Sequence, residues 1–394
     1  MKKRVAVGAG LSLGAAFGMT ATADAASFTV TNTDDSGGGS LRAAITAANS
    51  NANPLIEDSI TFQSGLTGEI NLGSELPTVS ENLAITGPGA STLAIDGQLM
   101  SWRLMRVNTV DLTITGLTLT GGDSATSGGA IYNDSGDLTV RNSTLSGNVT
   151  AVDGGAIYAE SGATTTIEGS TISGNTSSML GSALRIYTSG LTIRDSTISN
   201  NLGVSAPAIS IRMSASPIIE GTTISGNSGA GIFGFNTGDI PLDGTIVANN
   251  NGGGDDLLSG GAATPNFDLA FSLVEDASAV TVVESGPNLL GADPQLGGLA
   301  LNGGATQTQL PAASSPVIDK SMDTGTDQRG LTRAADMPSI ANAAGGNGAD
   351  IGAVELQLPP ATTTPPPTPA KKKKKCKKKK KKRSAAAAKK CKKK

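Results

Sequence analysis

No histidine occurs anywhere in the 394 residues. Ser-His and Cys-His nucleophilic pairs, His-ligated zinc and imidazole proton shuttling are therefore excluded, leaving carboxylates, Arg and Lys as the only groups for acid-base work. Aromatic side chains make up 3% of the chain, as one Trp, three Tyr and seven Phe. Few rings are thus on hand for stacking against a sugar substrate. Cysteine occurs twice, as Cys376 and Cys391, both inside a lysine-rich C-terminal stretch. Outside an apolar run from Val5 to Met19, no segment approaches the roughly 20 apolar residues a membrane span needs.

What the chain does contain is repetition. Leu138 to Asn148 (LTVRNSTLSGN) returns as Thr165 to Asn175, Leu191 to Asn201 and Pro217 to Asn227, at offsets of 27, 26 and 26 residues. A fainter copy precedes at Leu112 to Gly122 and a ragged one follows at Leu242 to Asn250. Each copy alternates β-branched and polar residues and then turns at Ser-Gly-Asn, so the unit is strand and turn, and helical repeats are excluded. A second phrase keeps the same period: Gly128-Gly129-Ala130-Ile131-Tyr132, then Gly154-Gly155-Ala156-Ile157-Tyr158. One repeat therefore holds at least two short strands, and stacking repeats places each strand beside its own copy. The predicted fold is all-β, a right-handed parallel β-helix. Ile131 and Ile157 point inward and Tyr132 and Tyr158 stack outside. Asn148, Asn175, Asn201 and Asn227 form a structural ladder of amides at one turn, tolerating left-handed geometry.

Before the repeats, Ser40 can cap a short helix whose Leu41, Ala44, Ile45 and Ala48 share one side and cover the N-terminal end of the stack. Beyond the repeats, the motifs from Asn288 to Glu355 are expected to form the last coils and a cap. The opening Phe28-Thr29-Val30-Thr31-Asn32-Thr33 to Gly39-Ser40-Leu41-Arg42-Ala43-Ala44-Ile45, the repeats, and closing motifs including Asp327-Gln328-Arg329-Gly330 and Asp350-Ile351-Gly352-Ala353-Val354-Glu355 together resemble secreted bacterial β-helix proteins with a choice-of-anchor Q domain, within the pectin-lyase-like fold. The resemblance spans nearly all of residues 27 to 356. It implies a common body followed by varied surface-anchoring tails, and no particular reaction. Many relatives have Cys before the Ser-Leu-Arg; Gly39 stands there in this chain.

The net charge of −3 conceals a division. Residues 26–370 carry ten basic against 32 acidic side chains, a balance of −22, whereas residues 371–394 carry 16 Lys and one Arg without an acid, a balance of +17. Residues 1–25, with Lys2, Lys3 and Arg4 before the apolar run and Ala23-Asp24-Ala25 at its end, read as a signal peptide. Residues 26–58 then form an N-terminal strand and capping helix, 59–287 the repeats, 288–356 the C-terminal coils and cap, 357–370 a stiff Pro/Thr-rich linker, and 371–394 a disordered tail. Exported and soluble, with no transmembrane segment in the mature chain, such a protein is retained at the cell surface or wall if its tail binds an anionic envelope polymer or acidic polysaccharide. Lys371, Lys375, Lys377, Lys382, Arg383, Lys389 and Lys394 span that tail. Cys376 and Cys391 could close a loop, cross-link chains or accept an attachment. Sequence-specific nucleic acid is not an expected partner, because the tail lacks aromatics.

Two functional classes remain. One is a non-catalytic surface β-helix, adhesin-like or a structural stalk, binding a glycan or protein ligand on its flank without a cofactor. The alternative is a polysaccharide lyase or hydrolase using a carboxylate pair, or a basic residue beside an acidic Ca²⁺ site. Its candidate acids are Asp96, Asp195, Asp243 and the pair Asp255-Asp256; its candidate bases are Arg185, Arg194 and Arg212. Simpler readings compete. Asp195 holds the place of Asn142 and Gly169 and reads as a turn residue; Arg194 continues an exposed row of alternating charge with Arg141, Glu168 and Glu220; Asp255-Asp256 reads as a solvated turn; and Arg329 with Asp350 and Glu355 reads as a salt-bridged cap. On these grounds no catalytic, metal or cofactor-binding residue is assigned.

Overall fold

A computed structural model describes residues 25–51, 56–203, 206–213, 217–250 and 254–357. The expected signal peptide and Pro/Thr linker, the basic tail and both cysteines lie outside the described residues, apart from Ala25 and Gln357.

One coil shows how the repeat folds. Leu138–Arg141 joins an eleven-stranded sheet, Thr144–Ser146 a ten-stranded sheet, Val149–Thr150 a three-stranded sheet and Ile157–Glu160 a seven-stranded sheet, after which Thr164–Glu168 begins the next coil. Between coils the strands pair in parallel, and the sequence period is the register: Val140 lies beside Ile167, Ile167 beside Ile193, and Ile193 beside Ile219. Side chains of one face therefore stack on their own copies. Three such stacks, exemplified by Ile167, Ile172 and Ile157, are fully buried and fill the interior. A buried aliphatic side chain contributes about 1.5–3 kcal/mol, while ordering each residue costs about 1–2 kcal/mol. A single coil cannot meet that cost, so the cooperative unit is the stack.

The N-terminal end is closed as the sequence predicts. Ser40 caps the helix Leu41–Ala48, its Oγ accepting from Ala43 N at 3.2 Å, and Leu41, Ala44, Ile45 and Ala48 are buried against the first strands. Gly39, at φ +80°, has the Thr31 hydroxyl where a Cβ would stand, so a side chain at this position would collide with the opening strand.

The asparagine ladder runs inside the turn that follows the ten-stranded sheet. Asn148 donates from both N and Nδ2 to Asn175 Oδ1 (3.1 and 2.9 Å), Asn175 likewise to Asn201 (3.0 and 2.9 Å), Asn201 to Asn227 (both 2.9 Å) and Asn227 to Asn250 (3.1 and 2.8 Å). These asparagines do not themselves take the left-handed conformation. The preceding residue does, as Gly147, Gly174, Asn200, Gly226 and Asn249 at φ between +57° and +73°. The ladder is polar, with every amide donating toward the C-terminal coils, and Asn250 ends it by donating to Asp256 Oδ1 (3.2 and 2.8 Å). An ionised carboxylate only accepts, so it closes a chain of donors without leaving a free N–H. Asp256 is buried, in contrast to the solvated turn expected for it.

Past Asn288 the structure departs from the expected last coils. Only Leu289–Leu290 adds a strand to the stack. The chain then returns along the outer face of the ten-stranded sheet, binding a column of threonines. Thr306 Oγ1 donates to Gly169 O (3.0 Å), Thr197 Oγ1 to Gln328 Oε1 (2.6 Å), Ala353 N to Thr223 Oγ1 (3.0 Å) and Gly352 N to Gly244 O (2.7 Å). Where the threonine column becomes Ile246 and Leu273, the returning Val317, Ile318 and Ile351 pack on it as a second small core.

Candidate functional site

The return segment covers part of the ten-stranded sheet, and the eleven-stranded sheet presents threonines beside ion pairs. Among the latter are Arg141 to Glu168 at 2.6 Å and Arg194 to Glu220 at 2.7 Å, the alternating row read from the sequence. The outer face of the seven-stranded sheet differs from both. Register aligns Arg106, Tyr132, Tyr158, Arg185, Ser210 and Phe233 in one outward column and Asp134, Glu160, Tyr187, Arg212 and Phe235 in the next. All three tyrosines of the chain are on this face.

Their geometry is fixed by neighbours. Tyr132 and Tyr158 stack with centroids 5.3 Å apart and 25° between planes. Both phenols donate to Glu160, Tyr158 to Oε2 at 3.1 Å. Burial, together with the Glu160 carboxylate, pushes the Tyr132 hydroxyl up to about 12 and raises that of Tyr158 as well, so both remain donors at any physiological pH. Arg103 and Arg106 each place a guanidinium carbon 4.9 Å from the Tyr132 ring centroid, a cation–π arrangement. Arg106 also lies 3.6 Å from Asp134, and Arg103 3.4 Å from Glu75. The result is a ribbon of rings interleaved with guanidinium groups and edged by the carboxylates that hold them.

The candidate acids and bases lie apart. Arg185 and Arg212 are on the aromatic face and Arg194 is on the eleven-stranded sheet. Asp96 closes its own turn by accepting from Gln98 N at 2.7 Å. Asp195 is a turn residue at φ +45°, in the column of Asn142 and Gly169, as expected. It has a second role the repeat could not show: Arg333 of the return segment, almost wholly buried, donates to it at 2.6 Å and approaches Asp323 to 3.6 Å. Burial raises the carboxyls of Asp195 and Asp323 although Arg333 opposes this, and burial with the nearby Asp323 and Glu220 carries Asp243 up to about 6. A shallow cavity of about 330 Å³ beside this cluster is lined by Arg141, Glu168, Asp195, Asp327 and Gln328 among others, with no aromatic ring. Among the described residues no group of three or more His, Cys, Asp or Glu is placed to hold a metal ion.

The expected cap cluster divides. Arg329 pairs with Asp327 at 2.7 Å and reaches Glu355 only through its backbone carbonyl. Asp350, buried without a cation, accepts from Asp319 N and Leu356 N at 2.8 and 2.7 Å. Desolvation, aided by the neighbouring Glu355 charge, moves Asp350 up to about 7, and burial brings Asp256 to about 6. Each of these groups binds its proton more tightly in the folded chain than in the unfolded one, where a carboxyl titrates near 4. Their stabilising contribution is therefore complete below about pH 4 and is lost as pH rises through 6 to 7. The melting temperature of the protein is expected to rise as pH falls from 8 to 5, with Asp350→Asn flattening that slope. A melting temperature that falls steadily over this interval would contradict the assignment.

Sequence reasoning identified Tyr132 and Tyr158 but missed Arg103, Arg106, Glu160, Phe233 and Phe235. The signal was present, since Arg106, Tyr132, Tyr158 and Arg185 fall at offsets of 26, 26 and 27. For Arg333 no periodic signal exists, because it lies outside the repeats.

Residues 128–288 match the family described as right handed beta helix region. No curated protein matches the chain. Among solved structures, a protein of Geobacillus virus E2, ORF18, is similar at 8% identity and a TM-score of 0.30, over 68% of this chain and 62% of that one. This chain thus spans less than two thirds of that protein, and the likeness carries no argument about function. Among the described residues no helix is long and apolar enough to cross a membrane. The coils, their parallel register and the family match together make this chain an all-β protein built on a right-handed parallel β-helix.

Proposed function

We propose that this is an exported, non-catalytic β-helix protein of the choice-of-anchor type. The tail of residues 371–394 retains it at an anionic envelope, and the seven-stranded sheet binds a glycan. The observation that carries the glycan reading is the concentration of all three tyrosines with four arginines on one flank. Sugar rings present apolar C–H faces and hydroxyl edges, which stacked tyrosines and a fringe of Arg, Asp and Glu side chains complement.

Against cleavage, the perturbed carboxylates Asp195, Asp243 and Asp323 belong to the contact that holds the return segment, and Arg333 is committed to two of them. Their raised proton affinity is the one observation favouring a hydrolase or lyase. The two readings separate experimentally. Purified protein should bind oligosaccharides, weakened by Tyr158→Ala, and leave pectate, alginate and other uronate polymers uncut with or without Ca²⁺. Depolymerisation that disappears in Asp195→Asn or Asp243→Asn would establish the enzyme instead.

A further inference from the structure

The outer face of the ten-stranded sheet carries one column of threonines, Thr118, Thr144, Thr171, Thr197 and Thr223, aligned by register. Four of the five hydroxyls are committed, each to an amide group. Thr118 Oγ1 donates to Ala90 O at 2.6 Å, Thr171 Oγ1 to Gln307 O at 2.5 Å and Thr197 Oγ1 to the side-chain amide of Gln328 at 2.6 Å, while Thr223 Oγ1 accepts from Ala353 N at 3.0 Å. A column of hydroxyls one coil apart therefore works in this fold as a surface that binds polypeptide. The fifth, Thr144, is half-buried, and neither its hydroxyl nor that of Ser146 on the same strand has a partner among the described residues.

Thr144 lies in a gap between two bound segments. On one side is the turn of Ala90 and Ser91, held by Thr118; on the other is a hairpin of the returning chain, in which Ala300 pairs with Thr308 and Gln307 is held by Thr171. Between them is a groove of about 360 Å³, with Thr118, Thr144 and Ser146 as its floor and Leu301 and Gln307 on the hairpin side. The two coils of the floor span about 10 Å at the spacing of parallel strands, room for a single extended chain. Leu301 is 58% exposed, and the side-chain amide of Gln307 is unbonded among the described residues. The lining has no charged group, although residues 26–370 carry a balance of −22, and it has no aromatic ring. A charged segment would leave water there without a counter-charge, and a saccharide would find no stacking face.

We propose that this groove binds an extended, uncharged polypeptide segment of a partner protein, whose carbonyls accept from Thr144 Oγ1 and Ser146 Oγ and whose apolar side chain lies on Leu301. The bound segment continues, one coil further, the interface that the returning chain already makes. The probe is acetyl-Ala-Thr-Gln-Thr-Gln-Leu-amide, the sequence of Ala305 to Leu310, which binds this column within the chain. In the full-length protein, labelled at leucine methyl groups and with Leu301 assigned by its loss in Leu301→Met, the peptide should shift the Leu301 resonance saturably. Thr144→Val combined with Ser146→Ala, which removes both donors and keeps the shape of the floor, should weaken binding roughly tenfold. Thr139→Val, at a half-buried threonine of the eleven-stranded sheet, should leave it unchanged. An unmoved Leu301, or equal binding by the double variant with the circular dichroism of the parent, would overturn the proposal. So would an equal shift with a tetramer of N-acetylglucosamine, which offers amides on a sugar backbone and would give the groove to a saccharide. A Leu301 shift that follows protein concentration without peptide would give it to a second copy of the chain and overturn the proposal as well.

Discussion

Asn201→Ala should destabilise the folded chain by roughly 3–6 kcal/mol, a large share of the about 5–15 kcal/mol typical of a folded domain. The residue is fully buried. Its Nδ2 donates to Ile172 O, Ser199 O and Asn227 Oδ1 at 3.0, 3.3 and 2.9 Å, and its Oδ1 accepts from Asn175 N and Nδ2 at 3.0 and 2.9 Å. Truncation leaves several of these neighbours buried and unpaired, each at a cost of about 1–3 kcal/mol, and adds a cavity. Asn201→Asp should be as damaging at neutral pH, since a carboxylate cannot donate to Asn227 Oδ1, and should recover in acid as the protonated form regains a donor. Arg141→Ala supplies the control: its ion pair with Glu168 is half exposed and worth less than about 1 kcal/mol. Denaturant unfolding of the three variants checks the ranking. An Asn201→Ala midpoint indistinguishable from that of Arg141→Ala would mean that the ladder is not a source of stability.

Removal of everything beyond Glu355 should abolish retention on envelopes that carry anionic polymer. The segment lost includes the 16 Lys and one Arg whose +17 contrasts with the −22 of residues 26–370. Each lysine bound to an anionic site displaces a counterion, so binding of the intact chain should fall steeply as salt rises. Exposed charges are in any case screened beyond about 8 Å at physiological ionic strength. Retention is measured for the intact, truncated and Cys376→Ser/Cys391→Ser forms, with and without reductant. Equal retention of the truncated form removes the anchor; salt-resistant retention lost only in the cysteine variant replaces an electrostatic anchor by a covalent one.

How far the residues foretold the structure depends on whether a feature repeats. Ile167, Ile193 and Ile219 share a position because one period of sequence is one turn of the stack, so core, register and outward Tyr132 and Tyr158 could all be read. The Asn column was legible for the same reason, but its terminator was not: Asp256 has no counterpart in the earlier copies and enters the ladder only as the acceptor of Asn250. Residues past Asn288 carry no period, and nothing local distinguishes a further coil from a segment folding back. One trace existed, the change from Thr223 and Ser225 to Ile246 and Ala248 at matched positions, which marks where an outer face stops meeting water. Arg212, a possible base by sequence, instead lies between the rings of Tyr187 and Phe235 with no carboxylate partner among the described residues, a setting no local pattern announces.

The returning segment also meters the stack. It holds Gly169 through Thr306, Asp195 through Arg333, Thr223 through Ala353 and Gly244 through Gly352, tying four successive coils to one stretch of chain of set length. A coil duplicated ahead of Thr164 would lengthen the solenoid and leave every one of those contacts in place. The same duplication between Gly169 and Gly244 would offset the contacts beyond it by about 4.8 Å, more than a hydrogen bond can span. Growth by repeat duplication is thus open toward the N-terminal end and closed in the region the returning chain measures, although the inserted sequence would be the same.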